Sequence, residues 1–135
     1  MNIRSLIFSY ILTFIVFLIV DMAWLGFIAK NLYHRYLGEF LSDTVNWTAA
    51  FVFYLIYVVG VSVFAIYPAI NKDSAFNAIL LGALFGAFAY ATYDLTNLAT
   101  MKNWPLTIVI IDIFWGAFLT AVVSFVGFHI VKLVH

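Results

Sequence analysis

Residues 75–99, AFNAILLGALFGAFAYATYDLTNLA, decide how the rest of the chain is read. Apart from Asp94 the stretch is uncharged, and it is long enough to cross a bilayer core, which takes about 20 apolar residues in a helix. It lacks the strict alternation of a barrel strand. Lipid offers no partner to free backbone groups, so a run of this kind must be helical. Working outward, three further runs have the same character, at about residues 6–29, 47–67 and 105–131. Pro68 follows the second run, Asp73 or Ser74 is placed to cap the third, and Pro105 stands where a first helical turn tolerates proline.

The composition agrees with four spans. Of 135 residues, 67% are hydrophobic, 20% aromatic and 9% charged, and the mean hydropathy is +1.12. So few polar groups cannot clothe a surface in water, and so many aromatics exclude a disordered chain. Six basic residues balance six acidic ones, leaving no electrostatic footprint for nucleic acid. With no cysteine there is no disulfide, thiol nucleophile or thiolate metal site. The first run is too long for the apolar core of a signal peptide and is read as a span. The expected fold is all-α: residues 1–135 as a single transmembrane domain, an integral membrane four-helix bundle with the lipid bilayer as its partner.

The connection 30–46 is the longest. Leu32, Tyr33, Tyr36, Leu37, Phe40 and Leu41 recur in it at helical spacing, among Lys30, His34, Arg35, Glu39 and Asp43. That pattern predicts a short interfacial helix between spans one and two, its basic ends reaching for the headgroups. Orientation is not encoded in the charges. Arg4, Lys72 and Lys132 fall on one side, Lys30, Arg35 and Lys102 on the other, so the positive-inside rule has nothing to act on.

Three of the six acidic residues lie inside spans: Asp21, Asp94 and Asp112. Asp21 and Asp94 are near the ends of spans one and three, and Asp112 is near the start of span four, which runs the other way. All three therefore fall in one leaflet, roughly 8–12 Å below the same surface at 1.5 Å per residue. Asn46 and Asn97 sit at that end but shallower. Acids within spans are costly and by default mark a functional site facing the bundle or a cavity.

The helical faces point the same way. Asp94 shares a face with Tyr90, Ala87, Gly86, Ala83 and Gly82, and Asp112 begins a stripe of Gly116, Thr120 and Ser124 extended by Gly127. Small residues let neighbouring backbones approach, so both faces are expected to turn inward. Asp21 aligns with Phe17, Phe14, Thr13 and Tyr10. Trp24 and Trp115 each follow an aspartate by three residues, within reach of its face. Trp115 is deep enough to pack in the bundle, whereas Trp24, Trp47 and Trp104 are assigned to an aromatic belt. Tyr54 and Tyr57 are read as packing residues with satisfied hydroxyls.

Several of these segments resemble a known family. Tyr90-Ala-Thr-Tyr-Asp94-Leu-Thr-Asn97-Leu-Ala-Thr100, then Trp104-Pro105 and Asp112 through Trp115-Gly116, are similar to the signature of a small bacterial membrane-protein family, domain of unknown function 2177. The Asp21-Met-Ala-Trp24-Leu-Gly26 segment resembles that family's opening. The resemblance implies a multi-pass protein of the bacterial cytoplasmic (inner) membrane with four spans. It implies no activity, ligand or catalytic residue.

What three carboxyls at one level do is therefore a matter of chemistry. With no base inside the spans, they cannot all be ionised cheaply. Lys30, His34, Arg35 and Lys102 are expected to fold over the site and offset its charge. The leading reading is a pocket for a small cationic or amphiphilic ligand, with Asp21, Asp94 and Asp112 as charge complement. Trp24, Trp115, Tyr90 and Tyr93 would form its aromatic walls, and Asn97 and Asn46 its polar rim. A second reading is an enzyme using paired aspartates, one protonated and one ionised, on a lipid-soluble substrate. A third is a helper subunit whose aspartates hydrogen-bond across helices, although such contacts average only about 0.6 kcal/mol. No cofactor is expected. No metal is expected either, since the carboxylates lack a diagnostic spacing and His34 is the only histidine nearby. A transport pathway would need a homodimer, because four spans are few to enclose one, and no acid lies in the opposite leaflet to complete it.

Overall fold

The structure, a computed structural model, describes residues 2–135. Among the described residues there are five helices and no strand. Four are long and apolar enough to cross a membrane: α1 (Ile3–Ile28), α3 (Trp47–Asn71), α4 (Ala75–Thr100) and α5 (Leu106–Val134). The fifth, α2 (Lys30–Leu37), is the short helix between the first two spans. The protein is thus an all-helical, multi-pass membrane bundle.

The helix starts follow from local hydrogen bonding. The first amides of a helix have no partner within it, and short polar side chains supply one. Asn2 Oδ1 accepts from the Ser5 amide at 2.8 Å, Asn46 Oδ1 from the Ala49 amide at 3.1 Å, and Ser74 Oγ from the Asn77 amide at 3.2 Å. Pro105 opens α5 in extended geometry. At one boundary the structure departs from the sequence expectation. The second span does not stop at Pro68 but continues to Asn71. Ser62–Ile66 is wound as a π-helix, and the Tyr67 amide donates five residues back to the Ser62 carbonyl. This resets the ladder so that Pro68 falls in the first turn of a fresh α-helical segment, where its missing N–H costs little.

Small residues bring α4 and α5 together. A Cβ placed on Gly86 would meet the Gly116 carbonyl, and one on Gly116 would meet the Tyr90 ring. Gly82, Gly86 and Asp94 are buried on α4, as are Asp112, Gly116, Thr120 and Ser124 on α5, so both predicted faces turn inward. On α1 the buried residues are Ser9, Thr13, Phe17 and Asp21, and the Tyr10 hydroxyl ties this helix to α3 by donating to the Leu55 carbonyl at 2.7 Å. Phe17, Tyr57, Val58, Val61, Leu119 and Val123 form the centre of the core. Large apolar side chains such as Phe88, Phe114 and Phe118 point outward, as a bundle with lipid for solvent requires.

The short α2 is not a loose surface segment. Leu37, flanked by Leu32, Tyr33 and Tyr36, packs on Trp104, Ile108 and Val109 at the start of α5. Burying an aliphatic side chain such as Leu37 contributes about 1.5–3 kcal/mol, enough to hold α2 across the mouth of the bundle. At the opposite end, Lys132 pairs with Asp73 in the α3–α4 turn.

Candidate functional site

The site forms where α2 crosses the ends of α1 and α5. The last turns of α1, Trp24–Ile28, are π-helical, and the Ala29 amide donates to the Trp24 carbonyl at 2.7 Å. This wide turn carries the chain directly into α2. Tyr33, nine residues after Trp24, then sits on the side of α2 that faces the bundle. Trp24 Nε1 donates to the Tyr33 hydroxyl at 3.0 Å, and that hydroxyl donates to Asp112 Oδ1 at 2.6 Å. Burial and the neighbouring Asp112 carboxyl both push the Tyr33 phenol above its usual range, so it stays a donor at neutral pH.

The two Asp-x-x-Trp segments converge. Trp24 and Trp115 stack face to face, with centroids 4.3 Å apart and planes within 9°. Asp21, 6% exposed, lies beside the Tyr54 hydroxyl and the Trp115 indole, with Asp112 nearby. Two adjoining lobes open in front of these groups. The first, about 380 Å³, is lined by Phe53, Tyr57, Ala89, Tyr90, Tyr93 and Asp112. The second, about 270 Å³, adds Asp21, Trp24, Tyr33, Tyr54 and Trp115. Deeper in the bundle, the Tyr57 hydroxyl is paired with Thr120 Oγ1 at 2.7 Å.

Asp94 stands apart. It is fully buried, with Asp112 and the Trp104 indole as its neighbours, and neither oxygen reaches a partner at hydrogen-bonding geometry. It backs the cleft without lining it.

Of the residues singled out in the sequence, Asp21, Asp112, Trp24, Trp115, Tyr90 and Tyr93 lie on the cleft. Asn46 does not; it is exposed and is occupied in capping α3. Asn97 is absent from the lining and neighbours Tyr93 one turn along α4. Two of the three belt assignments are corrected. Trp24 is engaged with Trp115 and Tyr33, and Trp104 is buried against Phe40 and Tyr93, its ring at right angles to that of Tyr93. Trp47, 69% exposed, remains belt-like. Nor do the basic residues fold over the site: Lys30, His34, Arg35 and Lys102 are exposed. Tyr33 reaches the acids instead, a neutral donor where cations were expected. Sequence reasoning missed Tyr33 and Tyr54 as site residues. Tyr33 did belong to the apolar face of the 30–46 connection, which was the one signal available.

Chemically, the cleft offers two carboxyl groups in an aromatic enclosure with no lysine, arginine or histidine in its lining. Among the described residues no three or more His, Cys, Asp or Glu side chains are grouped to hold a metal ion.

No curated protein and no solved structure matches the chain. A family model does, over residues 6–129, which reaches into all four spans and takes in every residue of the cleft, and the chain accordingly belongs to the family described as predicted membrane protein (DUF2177).

Proposed function

We propose that the cleft binds a small organic cation or a cationic amphiphile, with Asp21 and Asp112 as counter-charges and the aromatic side chains as walls. The observation that carries this reading is the pairing of two carboxyls with stacked indoles in a lining without a basic group. A cation over an aromatic face gains on the order of 2 kcal/mol when desolvated, and a volume of this size is ordinary for a small-molecule pocket.

The amphiphile is favoured by a second cavity. An apolar groove of about 530 Å³ between α1 and α3, lined by Leu18, Met22, Phe51 and Val52, shares Ala50 and Tyr54 with the acidic lobe. A headgroup held at Asp21 would leave its chain free to lie along this groove toward lipid. In this reading the protein works in the bacterial cytoplasmic membrane, a location supported by the likeness of the Tyr90–Thr100 and Asp112–Gly116 segments to a bacterial family.

Tryptophan fluorescence tests the proposal, because Trp24 and Trp115 line the site. Protein in lipid nanodiscs is titrated with tetrapropylammonium and with decyltrimethylammonium. Saturable quenching is expected in the wild type, at least tenfold weaker in Asp21→Asn and Asp112→Asn. Equal affinity in all three proteins would remove the carboxyls from the account.

A further inference from the structure

Behind the cleft, three buried polar atoms meet without partners: both oxygens of Asp94 and Nε1 of Trp104. Asp94 is fully buried and Trp104 is 7% exposed, and the Asp94 carboxyl has both Asp112 and the Trp104 indole as neighbours. Ionised carboxylates in contact repel one another, and in a buried place the repulsion is not screened. A single proton held between two such carboxyls relieves that repulsion. The two members are differently placed. Asp112 faces the cleft, whereas Asp94 is sealed behind it.

On this geometry we infer that Asp94 and Asp112 act as a proton exchanger, holding one shared proton while the cleft is empty and releasing it when a cation settles against Asp112. The inference rests on the cleft being a cation site and adds the ion it is coupled to. Charge balances: one positive charge arrives, a carboxyl O–H bond breaks, and the proton leaves to water at the nearby surface. A proton fits because it needs no cavity around Asp94.

The groups facing the pair are acidic or neutral on every side. They are Asp21 from α1, Tyr33 from α2, Tyr54 and Tyr57 from α3 across the cleft, and Tyr90 and Tyr93 on α4 itself. No basic side chain is among them to take over the neutralising role.

The test is calorimetric titration of the nanodisc-embedded protein with tetrapropylammonium, in buffers of differing ionisation enthalpy and over a range of pH. The wild type is expected to release about one proton per cation bound, with affinity weakening tenfold per pH unit on the acid side. Asp94→Asn is expected to bind with a flat pH profile and to release none. Should that variant fail to fold, the wild-type proton count decides alone. Infrared spectra of the ligand-free protein give an independent readout. A protonated-carboxyl carbonyl band is expected in the wild type, absent from Asp94→Asn and lost on saturation with the probe. Binding without proton release would overturn the exchange and leave the cation site standing. Absence of binding would overturn both, and absence of the infrared band would overturn the shared proton whether or not the cleft binds.

Discussion

The Tyr33 hydroxyl donates to Asp112 Oδ1 at 2.6 Å, although 79 positions separate the two residues in the chain. This bond fastens the interfacial helix to the fourth span directly over the acidic cleft. It also completes a short relay, since the same hydroxyl accepts from Trp24 Nε1 at 3.0 Å. A ligand approaching Asp112 from the surface must therefore work around or displace Tyr33.

Tyr33→Phe removes the donor and leaves the Trp24 indole without its acceptor. Hydrogen bonds to charged groups contribute about 1.5–3 kcal/mol, so α2 should open more readily by a comparable amount. Amide hydrogen exchange is expected to speed up across Lys30–Leu37 and to remain unchanged in the α4–α5 pair. Unaltered exchange in α2 would show that Leu37 and its apolar neighbours hold the helix alone.

The same bond has a pH signature. The Tyr33 phenol is raised above its usual range in the folded protein, first by burial and then by Asp112. A group raised on folding stabilises fully below its unfolded value, near 10 for tyrosine, and loses that contribution as pH climbs through the folded one. Protection of α2 attributable to the bond should be constant from pH 6 to 9 and should decline only in stronger alkali. Tyr33→Phe should lack that part of the decline, as read by hydrogen exchange on both proteins.

The spans were legible because their length and uniform apolarity outweigh any local feature. The common depth of Asp21, Asp94 and Asp112 followed from counting residues along antiparallel helices, and the small residues of α4 and α5 identified their facing sides. What sequence could not supply was rotation at the membrane surface. Which residue of α2 points down depends on where the π-turn at Trp24–Ile28 releases the chain, a shift of less than one helical turn. Tyr33 rather than His34 or Arg35 thus meets the acids. Trp104 was misplaced for a related reason, because only the docking of α2 carries Phe40 over its ring. Asn46 looked like a rim residue because capping a helix and lining a pocket call for the same side chain.

Close approach of α4 and α5 sets a third expectation. Gly86→Ala places a methyl against the Gly116 carbonyl, and overpacking of this kind costs about 1–3 kcal/mol. Ser124→Ala, by contrast, deletes a buried hydroxyl that has no hydrogen-bond partner and should be neutral or stabilising. Thermal unfolding of the two variants in one lipid composition checks the contrast.

Stacked indoles leave a spectroscopic mark. Trp24 and Trp115, parallel at 4.3 Å, should couple their transitions and give a paired band in near-ultraviolet circular dichroism. Trp24→Phe and Trp115→Phe are each expected to abolish it, whereas Trp47→Phe, on the exposed end of α3, should not. Persistence of the band in either of the first two variants would contradict the stack.

The most direct test of the central claim compares the melting temperatures of wild type and Asp21→Asn in nanodiscs, each with and without decyltrimethylammonium. A carboxyl kept for binding is a burden when the site is empty, so the variant alone should be at least as stable as the wild type. At 100 times its Kd a ligand adds about 2.7 kcal/mol to the native state. The wild type should therefore melt several degrees higher with the amphiphile, and Asp21→Asn should scarcely shift. Equal shifts in both proteins, or a variant badly destabilised without any ligand, would contradict a binding site built on this acid.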